Sequence, residues 1–230
     1  MKVEILQLID GAKKAKGITV IIDVFRAFSL EAYLFSKEVS KIIPIGDAET
    51  AYRLKREAPD FILAGERDGR IMPGFDIGNS PSQINNLNLK GKTVIHTTSA
   101  GTQGISNATS ADEILGASLV NAKATAKYLK KKAPESVSLV CMGLAGKEPT
   151  DEDTLCALYI KSLIEDTSLD LESEIQKLRY TSGAKFFDPT QGDVFPTQDF
   201  YMCTKTDIFD FIIKLQANGT ELPYMVKEDI

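Results

Sequence analysis

The sequence predicts a three-layer α/β/α fold with a mostly parallel or mixed central sheet. Apolar, β-branched runs alternate with amphipathic stretches along the chain, and Ile18-Thr19-Val20-Ile21-Ile22 is the clearest of these runs. Continuous runs of this kind are typical of strands that are buried on both faces of a parallel sheet. Strands that alternate with helices at this spacing imply right-handed crossovers and helices on both faces of the sheet.

The pattern places each element in turn. Strands are predicted at residues 3–8 (at a sheet edge), 18–22, 41–45, 61–64, 93–97, 113–115 and 137–142. Helices are predicted at residues 27–37, 48–57, 103–108, 121–131, 152–165 and 171–181, with Thr150 or Asp151 as N-cap of the helix at 152–165. Residues 186–230 are less regular, with a further strand at 200–204 and a short apolar run at 208–215. Because no repeat or linker interrupts the chain, we predict one domain over residues 1–230.

Composition excludes several classes of protein. The chain is 43% hydrophobic and 26% charged, and its net charge of -5 argues against nucleic acid as a partner. No apolar run reaches the roughly 18 residues that a membrane span needs. Glu4 and Asp10 interrupt any signal-peptide core. The three cysteines, Cys141, Cys156 and Cys203, are widely spaced and odd in number, which favours a reducing cytoplasm over a disulfide framework or a structural zinc site.

One loop, residues 64–81, is dense in glycine and charge. It reads AGERDGRIMPGFDIGNSP and has neither a strand nor a helix period, so we predict irregular backbone that follows the strand at 61–64. Carboxylates beside arginines on glycine-permissive backbone suit a site that holds an anion and a cation together. The alternative is a surface loop that is cross-tied by its own ion pairs.

Four polar loops follow predicted strands, at residues 23–26, 65–80, 97–102 and 143–153. Ligands of open α/β sheets bind outside the carboxyl ends of the strands. If the sheet is parallel at those strands, the four loops converge on one edge. This placement is the strongest argument from the residues for a functional site.

The individual residues of these loops leave two interpretations open. The hydroxyls and amides of residues 97–102 suit a phosphate or sulfonate, or they form a simple N-cap. Asp23 is a helix cap paired with Arg26, or it is a magnesium ligand or nucleophile while Arg26 holds an anionic group. Glu152 and Asp153 stabilise a helix dipole, or one of them reaches a cation.

Other catalytic chemistries lack their residues. A cysteine phosphatase would need an arginine six residues after Cys141, where the chain has Lys147. His96 is the single histidine, which excludes a histidine-based metal cluster, and a histidine at a strand end is more often structural than catalytic. No Gly-x-Ser-x-Gly motif is present. Carboxylates, arginines, hydroxyls and amides remain, a set that suits magnesium-assisted transfer of a phosphoryl group to water.

Several motifs together resemble the 2-phosphosulfolactate phosphatase family. They are Asp23-Val24-Phe25-Arg26-Ala27, Gly65-Glu66-Arg67, Gly74-Phe75-Asp76-Ile77-Gly78-Asn79-Ser80-Pro81, Gly91-Lys92 before Thr97-Thr98, Gly101-Thr102, Leu119-Val120-Asn121-Ala122 and Glu152-Asp153-Thr154-Leu155-Cys156-Ala157. The resemblance covers most of the chain from Val20 onwards. It implies a homodimeric, Mg²⁺-dependent hydrolase that converts 2-phospho-3-sulfolactate, a small anionic phosphorylated substrate, to 3-sulfolactate and phosphate, a step associated with coenzyme M biosynthesis.

The resemblance also implies roles for individual residues. Asp23, Glu66 and Asp76 are the catalytic candidates, and the metal candidates are Asp23, Glu66, Asp76, Glu152 and Asp153. The candidates for substrate binding are Arg26, Arg67, Asn79, Thr97, Thr98, Ser99, Gly101 and Thr102. The chain departs from the family pattern at Phe28-Ser29 and Ser99-Ala100. Two alternatives therefore stay open: a phosphatase of another small phosphorylated hydroxy acid, and a non-catalytic relative that binds an anionic metabolite.

Overall fold

The computed structural model describes residues 1–217, 219 and 222–230. The described strands are β1 (Lys2–Gln7), β2 (Gly17–Ile22), β3 (Lys41–Pro44), β4 (Ile62–Arg67), β5 (Arg70–Ile71), β6 (Thr93–Thr97), β7 (Ala111–Ala117), β8 (Ser136–Cys141), β9 (Phe211–Gln216) and β10 (Tyr224–Asp229). They form one mixed sheet in the order β1-β8-β2-β7-β9-β10-β3-β6-β4-β5.

The described α-helices are α1 (Leu8–Lys14), α2 (Ala27–Ser36), α3 (Ala48–Glu57), α4 (Gly101–Asn107), α5 (Ala122–Lys132), α6 (Asp151–Glu165), α7 (Leu171–Leu178) and α8 (Thr197–Cys203). Short 3₁₀ turns lie at Pro81–Ile84, Leu119–Asn121 and Ala184–Phe187. None of the helices in these described parts is long and apolar enough to cross a membrane.

The sheet consists of two parallel blocks that run in opposite directions. Strands β1, β8, β2 and β7 are mutually parallel, and so are β3, β6 and β4. The antiparallel hairpin β9–β10 lies between the blocks and pairs antiparallel with β7 on one side and with β3 on the other. Because three successive antiparallel pairings separate the blocks, the carboxyl ends of β2 and β6 do not share one edge by strand direction alone.

Helices cover both faces of the sheet, which confirms the three-layer α/β/α fold. Ile21 of β2 packs into one apolar cluster together with Phe28 and Leu34 of α2. Its neighbours Val20 and Ile22 pack into a second cluster, which contains side chains of α5 and α6. Alternate residues of a strand point to opposite faces, so the continuous apolar run of β2 serves both cores.

Most predicted elements lie within a few residues of the observed ones, and the edge position of β1 is confirmed. Thr150, one of the two N-cap candidates, is the N-cap of α6. The prediction of a strand at residues 200–204 is wrong, because this stretch lies in α8 and the following residue. Phe200 and Cys203 are buried there while Tyr201 is half exposed, a helical spacing too short to read from sequence.

The loop at residues 64–81 is more ordered than the sequence predicts. Strand β4 continues to Arg67 and turns through Asp68 and Gly69 into β5, and Glu66 pairs with Ile71. Both turn residues have positive φ, the conformation that a tight turn of this kind requires. This hairpin fixes the direction of the charged side chains that the sequence left unspecified.

Candidate active site

A cavity of about 430 Å³ lies where the polar loops meet. It is lined by Asp23, Phe25, Arg26, Glu66, Asp68, Gly69, Asn79, Ser99, Ala100, Gly143, Leu144, Ala145, Thr150, Glu152, Lys185, Gln191 and Phe195. All four loops predicted to converge contribute to this wall. The sheet is not parallel at all four strands, as the predicted convergence required, because its two parallel blocks run in opposite directions. Contacts between the loops bring the four loops together instead.

Asp23 follows the last residue of β2 and is buried. Its Oδ1 accepts a hydrogen bond of 3.0 Å from the amide of Ala27, so the carboxylate caps the entry to α2. Burial raises the pKa of Asp23 from 3.8 to about 6, and the negative charges of Glu66 and Glu152 add to this rise, whereas the Ala27 hydrogen bond opposes it. This hydrogen bond supports the helix-cap interpretation, although Arg26 pairs with Asp199 and not with Asp23. Asp23 also lines the cavity, and its role as a magnesium ligand or nucleophile stays a prediction.

Glu66 joins the two loops of the β4 block. Its Oε1 accepts a bond of 2.7 Å from the Ser99 amide, and its Oε2 accepts a bond of 2.7 Å from the Gly69 amide. The Ser99 hydroxyl donates to Oε2 at 3.3 Å. These donors fix the orientation of the side chain. Glu66 is therefore a rigid, buried carboxylate on the cavity wall.

Glu152 and Asp153 are adjacent at the start of α6 but do different things. Asp153 accepts bonds of 2.8 Å from the amides of Val24 and Gly143, one on each oxygen, and so ties the β2 loop to the β8 loop. Asp153 does not line the cavity, whereas Glu152 does. Glu152 Oε2 is buried and accepts no hydrogen bond from the described residues. Burial raises the pKa of Glu152, and the nearby Ser182 hydroxyl and Lys185 ammonium oppose that rise.

The two arginines predicted to clamp the substrate are engaged by protein groups. Buried Arg26 donates through Nη1 to Asp199 Oδ2 and to the Val194 carbonyl, both at 2.8 Å, and through Nη2 to the Gly69 carbonyl at 3.2 Å. Arg67 does not line the cavity and donates instead to Thr97 Oγ1 at 3.0 Å. Because Glu66 and Arg67 are neighbours in a strand, their side chains lie on opposite faces.

The threonines after β6 also satisfy one another rather than lining the cavity. The Thr98 amide donates to Thr102 Oγ1 at 2.9 Å, and the Thr102 amide donates to Thr98 Oγ1 at 3.1 Å. The N-cap of α4 is Ala100, so this pair ties the end of β6 to the first turn of the helix without a threonine N-cap. Binding of an anion by the segment stays a prediction. Of the candidates at residues 97–102, Ser99 lines the cavity, and Gly101 lies against Asp23.

Asp76 lies outside the cavity, and Asn79 lies on its wall. Asp76 Oδ2 accepts bonds from the Leu63 amide at 2.7 Å and from Lys55 Nζ at 3.0 Å, so it holds the start of β4. The catalytic and metal roles considered for Asp76 therefore have no geometric support. Asn79 Oδ1 lies 3.4 Å from Nε2 of His96, whose Nδ1 lies 2.8 Å from Glu31. His96 is fully buried and holds a wall residue, in line with the structural role predicted for it.

Sequence reasoning missed Lys185, Phe195 and Asp199. Phe195 and Asp199 lie in the segment that had no clear period, and Lys185 immediately precedes it. Asp199 reaches Arg26 from 173 residues away along the chain. No motif surrounds them, so only the tertiary structure identifies them.

Comparison with known proteins decides the family. The model of the family described as 2-phosphosulpholactate phosphatase matches residues 4–218. A protein of Bacillus subtilis named probable 2-phosphosulfolactate phosphatase is 34% identical over 90% of both chains. A protein of Caldanaerobacter subterraneus with the same name is 32% identical over 91% of both chains. The chain belongs to the 2-phosphosulpholactate phosphatase family.

The cavity of this family member contains carboxylates that could bind a divalent cation, but the described residues form no complete set of metal ligands. In the parts of the chain that the structure describes, no three His, Cys, Asp or Glu side chains lie close enough together to hold a metal. Mg²⁺ keeps several waters and uses one or two carboxylates together with substrate phosphate, so it needs no such cage. Glu66 is held by amides, as metal-ligating carboxylates commonly are, and buried Glu152 Oε2 lacks a hydrogen bond from the described chain. These residues fit Mg²⁺.

Gly101 allows α4 to approach Asp23 closely. A Cβ at Gly101 would lie 2.7 Å from the Ala27 Cβ and 3.0 Å from Asp23 Oδ2. We expect Gly101→Ala to lower the free energy of unfolding by about 1–3 kcal/mol and to reduce catalytic turnover, because the new methyl group displaces the Asp23 carboxylate. Gly192→Ala is the matched control, since a Cβ there meets nothing within 4 Å. Chemical unfolding and activity assays of both variants test this, and equal effects of the two would contradict it.

Proposed function

We propose that this phosphoric monoester hydrolase converts 2-phospho-3-sulfolactate to 3-sulfolactate and inorganic phosphate in a Mg²⁺-dependent reaction. The observation that carries the proposal is that three buried carboxylates, Asp23, Glu66 and Glu152, line one cavity. The names of the curated relatives support the substrate.

A bound cation would offset the negative charge of the carboxylates in the cavity. Three carboxylates in one cavity repel each other and would repel a phosphate ester. Burial is the main cause of the raised pKa of Asp23, and the charges of Glu66 and Glu152 add to it. Glu66 and Glu152 are the proposed Mg²⁺ ligands. The bound ion would neutralise charge on the phosphoryl oxygens as a Lewis acid. Ser99 and Gly69 keep the Glu66 carboxylate in place through their amides.

Asp23 is the proposed acceptor of the proton from the attacking water. A pKa of about 6 lies near neutral pH, which favours proton transfer by a carboxylate. Oδ1 is held by the Ala27 amide, and Oδ2 makes no hydrogen bond to a described residue, so Oδ2 takes the proton. The water oxygen forms the new P–O bond. The ester P–O bond breaks with its electron pair on the sulfolactate oxygen, which is then protonated by solvent.

Of the two departures from the family pattern, one reaches the cavity. Phe28 is fully buried against Gly116, and the Ser29 hydroxyl donates to the Val24 carbonyl at 2.8 Å, so this pair supports the loop behind Asp23. Ser99 and Ala100 line the cavity. Of the two departures, Ser99-Ala100 is therefore the one that is placed to contact the substrate.

The test is phosphate release from 2-phosphosulfolactate and from phospholactate, with Mg²⁺ and with EDTA, for the wild type and Glu152→Gln. We expect release that needs Mg²⁺, and a Mg²⁺ requirement for half-maximal rate that rises at least about tenfold in the variant. Phospholactate as the better substrate would contradict the assigned substrate. No release from a wider panel of phosphate esters, with sulfolactate still stabilising the fold, would favour the non-catalytic binding relative.

Three further features of the proposal concern context: the coenzyme M pathway, a cytoplasmic location and a homodimer. Three buried free cysteines in the described structure are consistent with a reducing compartment. Light scattering of the purified protein measures the oligomeric state, and a monomer at assay concentration would overturn the homodimer.

A further inference from the structure

Two cationic side chains line the cavity, and one of them has its charge neutralised. Arg26 forms a buried ion pair of 2.8 Å with Asp199, whose side chain is fully buried. Lys185 is close enough to Glu152 to attract that carboxylate electrostatically, but it makes no salt bridge or hydrogen bond within the described structure. The carboxylates Asp23, Glu66, Asp68 and Glu152 line the same cavity. Lys185 is therefore the cavity cation whose charge is available to a ligand.

Aromatic rings surround the Lys185 ammonium. Its Nζ lies 5.9 Å from the ring centroid of Phe25, 5.6 Å from Phe186 and 5.3 Å from Phe195. These distances are within the range of cation–π attraction, so the rings hold the ammonium in place without neutralising its charge. Phe25 and Phe195 also line the cavity. Arg26 lies over two of the same rings, at 5.9 Å from Phe186 and 5.0 Å from Phe195, but its charge is paired with Asp199. Lys185 is therefore the cation without a salt bridge to a described residue in a mainly aromatic part of the wall.

Such a wall selects among the anionic groups of the substrate. The phosphate is drawn to the proposed cation at Glu66 and Glu152, which leaves a carboxylate and a sulfonate to be bound. Aromatic rings accept only weak hydrogen bonds and donate none of the strong bonds that hydrate an anion, so the group that is easier to dehydrate is favoured. A sulfonate spreads its charge over three oxygens and is the more weakly hydrated of the two.

We propose that Lys185, with Phe25 and Phe195, forms a subsite for the sulfonate of the substrate and determines specificity for a sulfonated over a non-sulfonated phosphoester. The subsite rests on the proposed phosphatase function. It replaces Arg26 and Arg67 in this role, because both are engaged by the protein itself.

The test compares 2-phosphosulfolactate with phospholactate, which keeps the phosphate and carboxylate but lacks the sulfonate. For Lys185→Met we expect kcat/KM for the sulfonated substrate to fall about 10- to 100-fold, mainly through KM, as for a lost hydrogen bond between charged groups. The value for phospholactate should change less than about threefold, and Lys185→Arg should recover most of the loss. Lys161→Met removes a lysine of α6 that is paired with Glu165 and is the matched control, with no expected change.

Two outcomes would overturn the subsite. An equal fall for both substrates would assign Lys185 to the phosphate, to the carboxylate or to the balance of charge around Glu152. No fall for either would remove it from the site. Thermal unfolding with Mg²⁺ and 3-sulfolactate or lactate separates this proposal from the phosphatase activity. If the wild type released no phosphate, loss of the sulfolactate-specific stabilisation in Lys185→Met would still support the subsite, and its retention would reject it.

Discussion

Replacing Asp23 by asparagine is expected to remove nearly all phosphate release while making the metal-free protein more stable at neutral pH. Proton transfer by a positioned side chain typically contributes 10²–10⁴-fold, so we expect kcat to fall about a thousandfold. Stabilisation of the fold by Mg²⁺ should persist, because Glu66 and Glu152 are unchanged. Phosphate release and Mg²⁺-dependent thermal unfolding measure the two effects.

The gain in stability follows from the raised pKa of Asp23. Between 3.8 and about 6 the folded protein binds more protons than the unfolded chain, so its stability falls as pH rises through this window. Above pH 6 the full cost of the buried charge is present, at most roughly 3 kcal/mol. Asparagine carries no charge and retains an Oδ1 acceptor for the Ala27 amide. The variant should therefore unfold at a higher temperature in EDTA at pH 7.5, and the difference should disappear near pH 4.

Asp76→Asn is the matched control for this prediction. Asp76 belongs to the motif at residues 74–81, but its carboxylate lies outside the cavity. There it accepts hydrogen bonds from the Leu63 amide and from Lys55. We expect activity within about threefold of the wild type and a loss of about 1 kcal/mol in the free energy of unfolding. A loss of activity as large as that of Asp23→Asn would place Asp76 in the catalytic machinery and contradict the assignment made from the structure.

The layered fold was predictable because continuous apolar runs, such as residues 18–22, indicate by themselves a strand that is buried on both faces. The directions of the two parallel blocks were not. They depend on β9 and β10, which come last in the chain and insert between strands formed by much earlier residues. No local pattern at residues 208–215 specifies that pairing, because a short apolar run is compatible with several partners.

Part of the site was predictable for a different reason. Asp23, Glu66 and Glu152 were all named from sequence, because they lie in polar segments near the ends of predicted strands and in the family motifs. Contacts between the loops, and not a common strand direction, bring them to one cavity. Sequence could not show which residue of Glu66-Arg67 or of Glu152-Asp153 faces the cavity. A shift of one residue in the strand, or in the start of the helix, would exchange the two side chains, and sequence does not fix element ends that closely. Lys185 and Asp199 depend on tertiary contacts between distant segments, which a single sequence does not show.

Breaking the buried Arg26–Asp199 pair is expected to cost the most stability. Asp199 Oδ2 accepts a hydrogen bond of 2.8 Å from Arg26. Its Oδ1 accepts two hydrogen bonds of 2.9 Å, one from the Ser80 hydroxyl and one from the Ser82 amide. Asp199→Ala leaves a buried guanidinium without its counterion, so we expect a loss of about 3–5 kcal/mol in the free energy of unfolding. Chemical denaturation of the variant measures it. Activity should fall as well, because Arg26 also holds Gly69, whose amide orients Glu66.

A double-mutant cycle separates the ion pair from simple loss of packing. Arg26→Met with Asp199→Ala removes both charges, so we expect the double variant to lose clearly less stability than the two single losses added together. The exposed pair Arg70–Asp193, at 3.4 Å, is the matched control, and its removal should cost less than about 1 kcal/mol. Additive single losses at Arg26 and Asp199 would mean that the two side chains stabilise the fold independently. The charge of Arg26 would then be available to the cavity, and the exclusive role given to Lys185 would no longer follow.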